Sequence, residues 1–171
     1  MNIILIGFAS CGKSAAAAAL GNATSRNCVD LDRVIENRYQ QVHGNAASCR
    51  EIFRKLGAGC FTELETDALN SLRGLRSSIL STGGRAPMSG QNRSLLKSMG
   101  TVVYLKCSVN IILKRMKSKG SPASMGSTEE EISAEWNRRD PVYENLADII
   151  IVNDTLTPDE TSQAILCKLN N

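Results

Sequence analysis

Apolar residues in this chain fall into short unbroken runs, separated by longer stretches in which they recur every three or four positions. The runs at Asn2 to Ile6, Asn27 to Asp30, Ser78 to Ser81, Thr101 to Leu105 and Asp148 to Val152 each predict a β-strand. Ile3 to Ile6 and Ile149 to Val152 are apolar at every position, the pattern of central strands covered by helices on both faces. Between the strands, alanine-rich Lys13 to Leu20 has high helix propensity, and Arg33 to Gln41 and Cys60 to Leu72 carry helical spacing. Trp136 to Arg139 lies in a further helix, as a packing tryptophan. A last helix follows Thr157, with Pro158 tolerated in its first turn. This alternation predicts an α/β fold in three layers, α/β/α, around a central parallel five-stranded sheet. No repeat or long linker interrupts it, so residues 1–171 read as one domain. Lys117 to Thr128 departs from the pattern: rich in Gly and Ser and poor in core anchors, it predicts a mobile loop.

Composition narrows the class. The 171 residues are 42% hydrophobic and 22% charged, which suits one globular domain and excludes two large ones. Twenty Lys and Arg against 17 Asp and Glu give +3, a field that favours small anions but lacks the dense basic stripe of nucleic-acid binding. The longest apolar run, Ala15 to Leu20, is far short of the roughly 20 residues that cross a bilayer. The N-terminus enters a strand without a basic segment, so a cytoplasmic protein is expected. With no long apolar stripe left over for a partner, so is a monomer. Six cysteines without a Cys-x-x-Cys pair, and a lone His43 beside Gly44, give no zinc or iron-sulfur framework and no histidine triad. Reduced thiols and a surface-loop His43 are the expectation.

Chemistry concentrates at three strand ends. Gly7-Phe8-Ala9-Ser10-Cys11-Gly12-Lys13-Ser14 fits G-x4-G-K-S/T and lies between the first strand and the first helix, the setting that gives the motif its meaning. Such a loop points successive N–H groups into one concavity at the positive end of a helix, which favours a polyphosphate. Ser10, Cys11, Gly12, Lys13, Ser14 and Ala15 are therefore the candidate ATP-binding residues. Lys13 would lie on the β and γ phosphates, and Ser14 would offer its hydroxyl to Mg²⁺. The alternative is a plain tight turn with a solvated lysine. Cys11, near a helix N-terminus, is either a thiol of lowered pKa open to alkylation or simply a small loop side chain. At the second strand end, Asp30 and Asp32 lie on one side of an extended segment, fit to hold Mg²⁺ through water and to orient or deprotonate an acceptor hydroxyl. Asp32 could instead cap the next helix. At the third, Thr82-Gly83-Gly84 allows close approach of a ligand to main chain, although Gly-Gly turns are common.

In order along the chain, Gly7 to Ser14, Asp30-Leu31-Asp32, Phe53 with Gly57, Phe61 and Glu65, Thr82-Gly83-Gly84, Val102 to Leu105, and Arg139-Asp140-Pro141-Val142-Tyr143 with Ala147 resemble shikimate kinases over nearly the whole length. The resemblance implies transfer of the γ-phosphate of ATP to the 3-hydroxyl of shikimate. It also implies a P-loop fold like that of nucleoside-monophosphate kinases, with a lid at about residues 117–128 and a substrate-binding helical region at about 33–61. By the same resemblance, Lys13 and Ser14 serve phosphate and Mg²⁺, Asp30 contacts the metal through water, and Asp32 holds the shikimate hydroxyls and accepts the proton. Gly83 and Gly84 contact the substrate, Arg139 grips its carboxylate, and Arg115 lies beside the adenine.

Three positions depart from the family pattern. Thr62 stands where the family has an arginine after Phe61, Arg85 replaces a third glycine, and Ser121 precedes Pro122 where the lid has an arginine. Losing one charge-assisted contact costs about 1.5–3 kcal/mol, a tenfold to hundredfold weakening. Arg85 is positioned to supply the lost cation to the substrate, and Lys119 to replace the lid arginine. These departures leave two other readings: a nucleotide-binding module that has lost the reaction, or a kinase of another small hydroxy acid.

Overall fold

The computed structural model describes residues 1–119 and 128–170. β1 (Asn2–Ile6) leads into α1 (Lys13–Thr24), then β2 (Cys28–Asp30), α2 (Leu31–His43), α3 (Cys49–Ser71) and β3 (Ile79–Ser81). A 3₁₀ turn (Ala86–Met88) and α4 (Gly90–Met99) precede β4 (Gly100–Lys106), α5 (Val109–Lys119), α6 (Glu129–Leu146), β5 (Ile149–Val152) and α7 (Pro158–Leu169). The strands form one parallel sheet in the order β2-β3-β1-β4-β5. Ile4 of β1 sits between Leu80 of β3 and Val102 of β4, so β1 is the central strand. All five of its residues are buried, as a strand sandwiched by helices requires. α1 packs on α7, and α3 and α6 pack with α4 and the 3₁₀ turn, giving the two helical layers.

Local chemistry sets the helix starts. Ser48 with Glu51, Thr128 with Glu131, and Thr157 with Glu160 are capping boxes, each satisfying two otherwise unpaired backbone donors. α3 is broken at Gly57, whose φ of 77° and ψ of 177° are not helical, so two helical segments meet there at a kink.

Two expectations are corrected. β5 is an edge strand: Ile150 is 41% and Val152 64% exposed, while Ile151 is buried. Its continuous apolar run reflects side-chain type and not two-sided cover. His43 is not in a loop; it ends α2, where its ring stacks on Tyr39 with centroids 4.0 Å apart. Gly90–Met99 forms a helix that no apolar periodicity announces. The six cysteines are free thiols. The proposed lid falls mostly at 120–127, which, with Ser121, Pro122 and the side chain of Lys119, lies outside the described residues. Among the described residues, no helix is long and apolar enough to cross a membrane.

Candidate active site

The loops after β1, β2 and β3 end at the same edge of the sheet, the edge where open parallel sheets bind ligands. They meet the first turns of α3 around a cleft of about 440 Å³, within the roughly 300–1,000 Å³ of small-ligand pockets. Ser10, Gly12, Lys13, Ser14 and Ala15 line one end; Asp30 and Asp32 line it beside them, and Gly83, Gly84 and Arg85 form a wall.

The first loop is bent by residues of positive φ: Gly7 at 145°, Ser10 at 61° and Gly12 at 101°. A Cβ on Gly7 would lie 2.8 Å from the Leu105 carbonyl oxygen, so the loop is also too tightly packed for a side chain there. Gly12 starts α1 without a side-chain cap, which leaves the first-turn N–H groups for an anion. Lys13 is buried, and its Nζ donates to the carbonyl oxygens of Gly7 at 2.9 Å and Phe8 at 2.8 Å, folding the ammonium back over the loop. Cys11 is fully buried, which makes it a loop-packing side chain and closes it to alkylating reagents. Its carbonyl oxygen accepts from Asn153 Nδ2 at 2.7 Å, and Asn153 Oδ1 accepts from Thr161 Oγ1 at 2.7 Å. Thus the end of β5 and the start of α7 hold the first loop. Arg115 belongs to the same knot: Nη2 donates to the carbonyls of Asn153 (3.0 Å) and Asp154 (3.1 Å).

The carboxylate pair is arranged differently from the extended segment expected. β2 stops at Asp30, which caps α2 by accepting from the Asp32 N–H at 2.9 Å; Asp32 is the second helical residue. The capping carboxylate is therefore that of Asp30, and Asp32 is left facing the cleft. Burial, reinforced by the charge of Asp30, pushes the Asp32 carboxyl up to about 6, against the pull of Lys13. Lys13 and Asp32 thus share one cleft and feel each other's charge.

Gly83 packs directly on Asp32: a Cβ there would lie 2.6 Å from Asp32 Oδ1. Gly84 is fixed by the Tyr143 hydroxyl, which donates to its carbonyl at 2.5 Å. Gly83→Ala is expected to push the Asp32 carboxylate aside and to lower kcat/KM roughly 10- to 100-fold while leaving the KM for ATP unchanged, read by steady-state ADP release.

Arg139 is 1% exposed and lies behind the cleft wall, not among its lining residues. Nε donates to Glu135 Oε2 at 2.7 Å, and the guanidinium sits 5.4 Å from the Phe8 ring centroid. Nη2 lies 2.6 Å from the same Glu135 oxygen but off the hydrogen-bonding direction, so this buried donor lacks a proper acceptor. Hydrogen bonding from Arg138, assisted by Arg139, holds the Glu135 carboxyl down to about 2.

Two further charged residues belong to the cleft: Glu65, quoted above within the family pattern but given no role, and Arg50, which that pattern does not include. Glu65 is 1% exposed, its Oε2 has no hydrogen-bond partner, and burial, with Asp32 nearby, pushes it up to about 8. Arg50, in the first turn of α3, also lines the cleft. The capping box that starts this helix, Ser48-x-x-Glu51, was the one sequence signal able to place Arg50 at the cleft.

A sequence model described as "Shikimate kinase" matches residues 9–170. The chain belongs to the shikimate kinase family. A shikimate kinase of Nitrosospira multiformis is 32% identical, with 98% of this chain and 84% of that protein covered. One of Syntrophus aciditrophicus is 34% identical over 96% of this chain and 89% of that protein. The structure of "Shikimate kinase from Acinetobacter baumannii in complex with shikimate" superposes with a TM-score of 0.89 at 30% identity, covering 99% and 92% of the two chains. As a member of the shikimate kinase family, the chain is an ATP-dependent phosphotransferase with an alcohol acceptor. Within that family frame, Thr62 turns away from recognition: its hydroxyl donates to the Ala58 carbonyl at 2.9 Å, and it does not line the cleft. Arg85 does line it, with its guanidinium 4.9 Å from the Phe53 ring centroid.

Proposed function

We propose that the cleft transfers the γ-phosphate of ATP to the 3-hydroxyl of shikimate, giving shikimate 3-phosphate and ADP for aromatic amino acid (chorismate) biosynthesis. The observation that carries this reading is the shared cleft of Lys13 and Asp32, phosphate cation and hydroxyl acceptor, with Gly83 pressed against the carboxylate. Residues 1–171 act as one domain, and the segment 33–61 supplies the acceptor side. The N–H groups of Ser10 to Ala15 hold the polyphosphate, Lys13 swings from loop carbonyls to phosphate oxygens, and Arg115 flanks the base. Ser14 Oγ, exposed at the start of α1, and Asp30, reached through water, are hard oxygen donors that suit Mg²⁺. That ion, when bound, supplies charge neutralisation on the transferring phosphoryl group. Asp32 orients the acceptor hydroxyl and takes its proton as the new P–O bond forms; ADP leaves as the old one breaks.

The acceptor carboxylate falls to Arg85 and to Arg139, whose unsatisfied Nη2 is available once it shifts from Glu135. Arg85→Ala is expected to raise the KM for shikimate about tenfold to a hundredfold, the range of a lost charge-assisted contact. The reading itself is tested by ADP release from ATP and Mg²⁺ with and without shikimate. Stimulation by shikimate is expected. ATP binding without stimulated turnover would reduce the protein to a nucleotide-binding module, and stimulation only by another hydroxy acid would reassign the acceptor.

A further inference from the structure

On one face of α6, Glu135, Arg138 and Arg139 form a single ion cluster. Arg138 holds Glu135 with a fork of two bonds, Nε to Oε1 at 3.0 Å and Nη2 to Oε2 at 2.9 Å, the strong geometry of an arginine with a carboxylate. Arg139 adds a further donor, its Nε at 2.7 Å from the same Oε2. One carboxylate therefore serves two guanidinium groups. Arg139 has the poorer share, because its buried Nη2 is left without an acceptor. The bonds from Arg138 also hold the Glu135 carboxyl down to about 2, so proton uptake does not release Arg139 at neutral pH.

The two arginines have different surroundings. The Arg138 side chain is 53% exposed, whereas that of Arg139 is 1% exposed. The charge of Arg139 reaches Glu65 and Arg85, both of which line the cleft. Arg139 is thus near enough to act on an anion there, yet it is tied to a carboxylate of its own helix. A ligand takes it only by displacing Glu135. For a ligand with a carboxylate that exchange is close to balanced: Glu135 keeps both bonds from Arg138, and the ligand restores the counter-charge that Arg139 gives up. A ligand without a carboxylate would leave a buried guanidinium uncompensated, which is strongly disfavoured.

We propose that Glu135 is a specificity-determining residue: it occupies Arg139 until an acceptor carboxylate displaces it, and Arg138 then holds Glu135 alone. The role rests on the reading of the cleft as a shikimate site in which Arg139 meets the acceptor carboxylate. Glu135 is an internal competitor for the substrate anion, and its hold on Arg139 sets how well that anion must bind. Arg138 acts only through Glu135, by weakening this hold.

The test measures the KM for shikimate and for its methyl ester, which lacks the carboxylate charge, in full-length wild type, Glu135→Gln, Arg138→Ala and the double variant. Glu135→Gln is expected to lower the KM for shikimate about three- to tenfold, because Arg139 no longer has to leave a charged partner. Arg138→Ala is expected to do the opposite and raise it about two- to fivefold, since Glu135 is left to Arg139 alone. In the Glu135→Gln background, Arg138→Ala is expected to have no further effect. Both shifts are expected in KM and not in kcat, and neither with the ester. An unchanged or higher KM for shikimate in Glu135→Gln would overturn the competitor role, as would equal shifts with the ester or a raised KM on adding Arg138→Ala to Glu135→Gln. Should Glu135→Gln fail to fold, Arg138→Ala, which alters an exposed side chain, still tests the idea: an unchanged or lowered KM there overturns it. Absence of shikimate-stimulated ADP release in the wild type would instead overturn the underlying function.

Discussion

Asp32→Asn is expected to lower kcat roughly 10²- to 10⁴-fold, the usual worth of a positioned general base, while the protein becomes more stable. Both effects come from one cause. The Asp32 carboxyl is raised to about 6 by burial and by Asp30, against an unfolded value near 3.9. For a group with a raised folded pKa, the folded state binds the extra proton. Its stabilising share is thus complete below about pH 4 and lost as pH rises through about 6. At pH 7 the ionised carboxylate burdens the fold by on the order of 2–3 kcal/mol, which the amide removes. The Tm of Asp32→Asn at pH 7 should therefore exceed that of wild type, and the gap should close as pH falls below 5. Activity runs the opposite way. Wild-type kcat/KM should fall as pH drops through about 6, when the base takes a proton, and the residual activity of the variant should lack that limb. A variant with near-normal turnover and an unchanged acid limb would remove Asp32 from its role.

Lys13→Met is expected to lower kcat/KM roughly 10²- to 10³-fold, as removal of a preorganised charge from a transition state does. Methionine keeps the aliphatic stem in its buried slot, so far-UV circular dichroism should be unchanged. The ammonium now bridges the carbonyls of Gly7 and Phe8, and losing it leaves two loop acceptors without their donor. The loop itself is expected to loosen, raising the KM for ATP together with the fall in kcat. Unchanged single-turnover phosphoryl transfer in this variant would refute the assignment.

How much of this was legible in the sequence depended on how local the cause was. β1 and the loop after it are written in consecutive residues, and the structure keeps them where the pattern put them. The predicted helix at Cys60 to Leu72 is the segment of α3 after Gly57; the segment before it, from Cys49, was not predicted although the capping box at Ser48 marks its start. The edge position of β5 depends on strand pairing, which no run of isoleucines encodes. In the cleft, Asp30 and Asp32 were visible as a pair, but which one caps the helix and which faces the ligand was not. Arg50, Glu65 and Arg85 meet only because α3 folds over the β3 loop, and the stacking of Arg85 on Phe53 joins residues far apart in sequence. Arg139 was visible as a residue type, whereas its engagement by Glu135 is a matter of packing.

The bond from Asn153 to the Cys11 carbonyl has a consequence for biosynthesis of the molecule itself. The first loop and its fastening are encoded 142 positions apart. On the ribosome, the emerging loop therefore stays unlatched until the segment that carries Asn153 has also been translated.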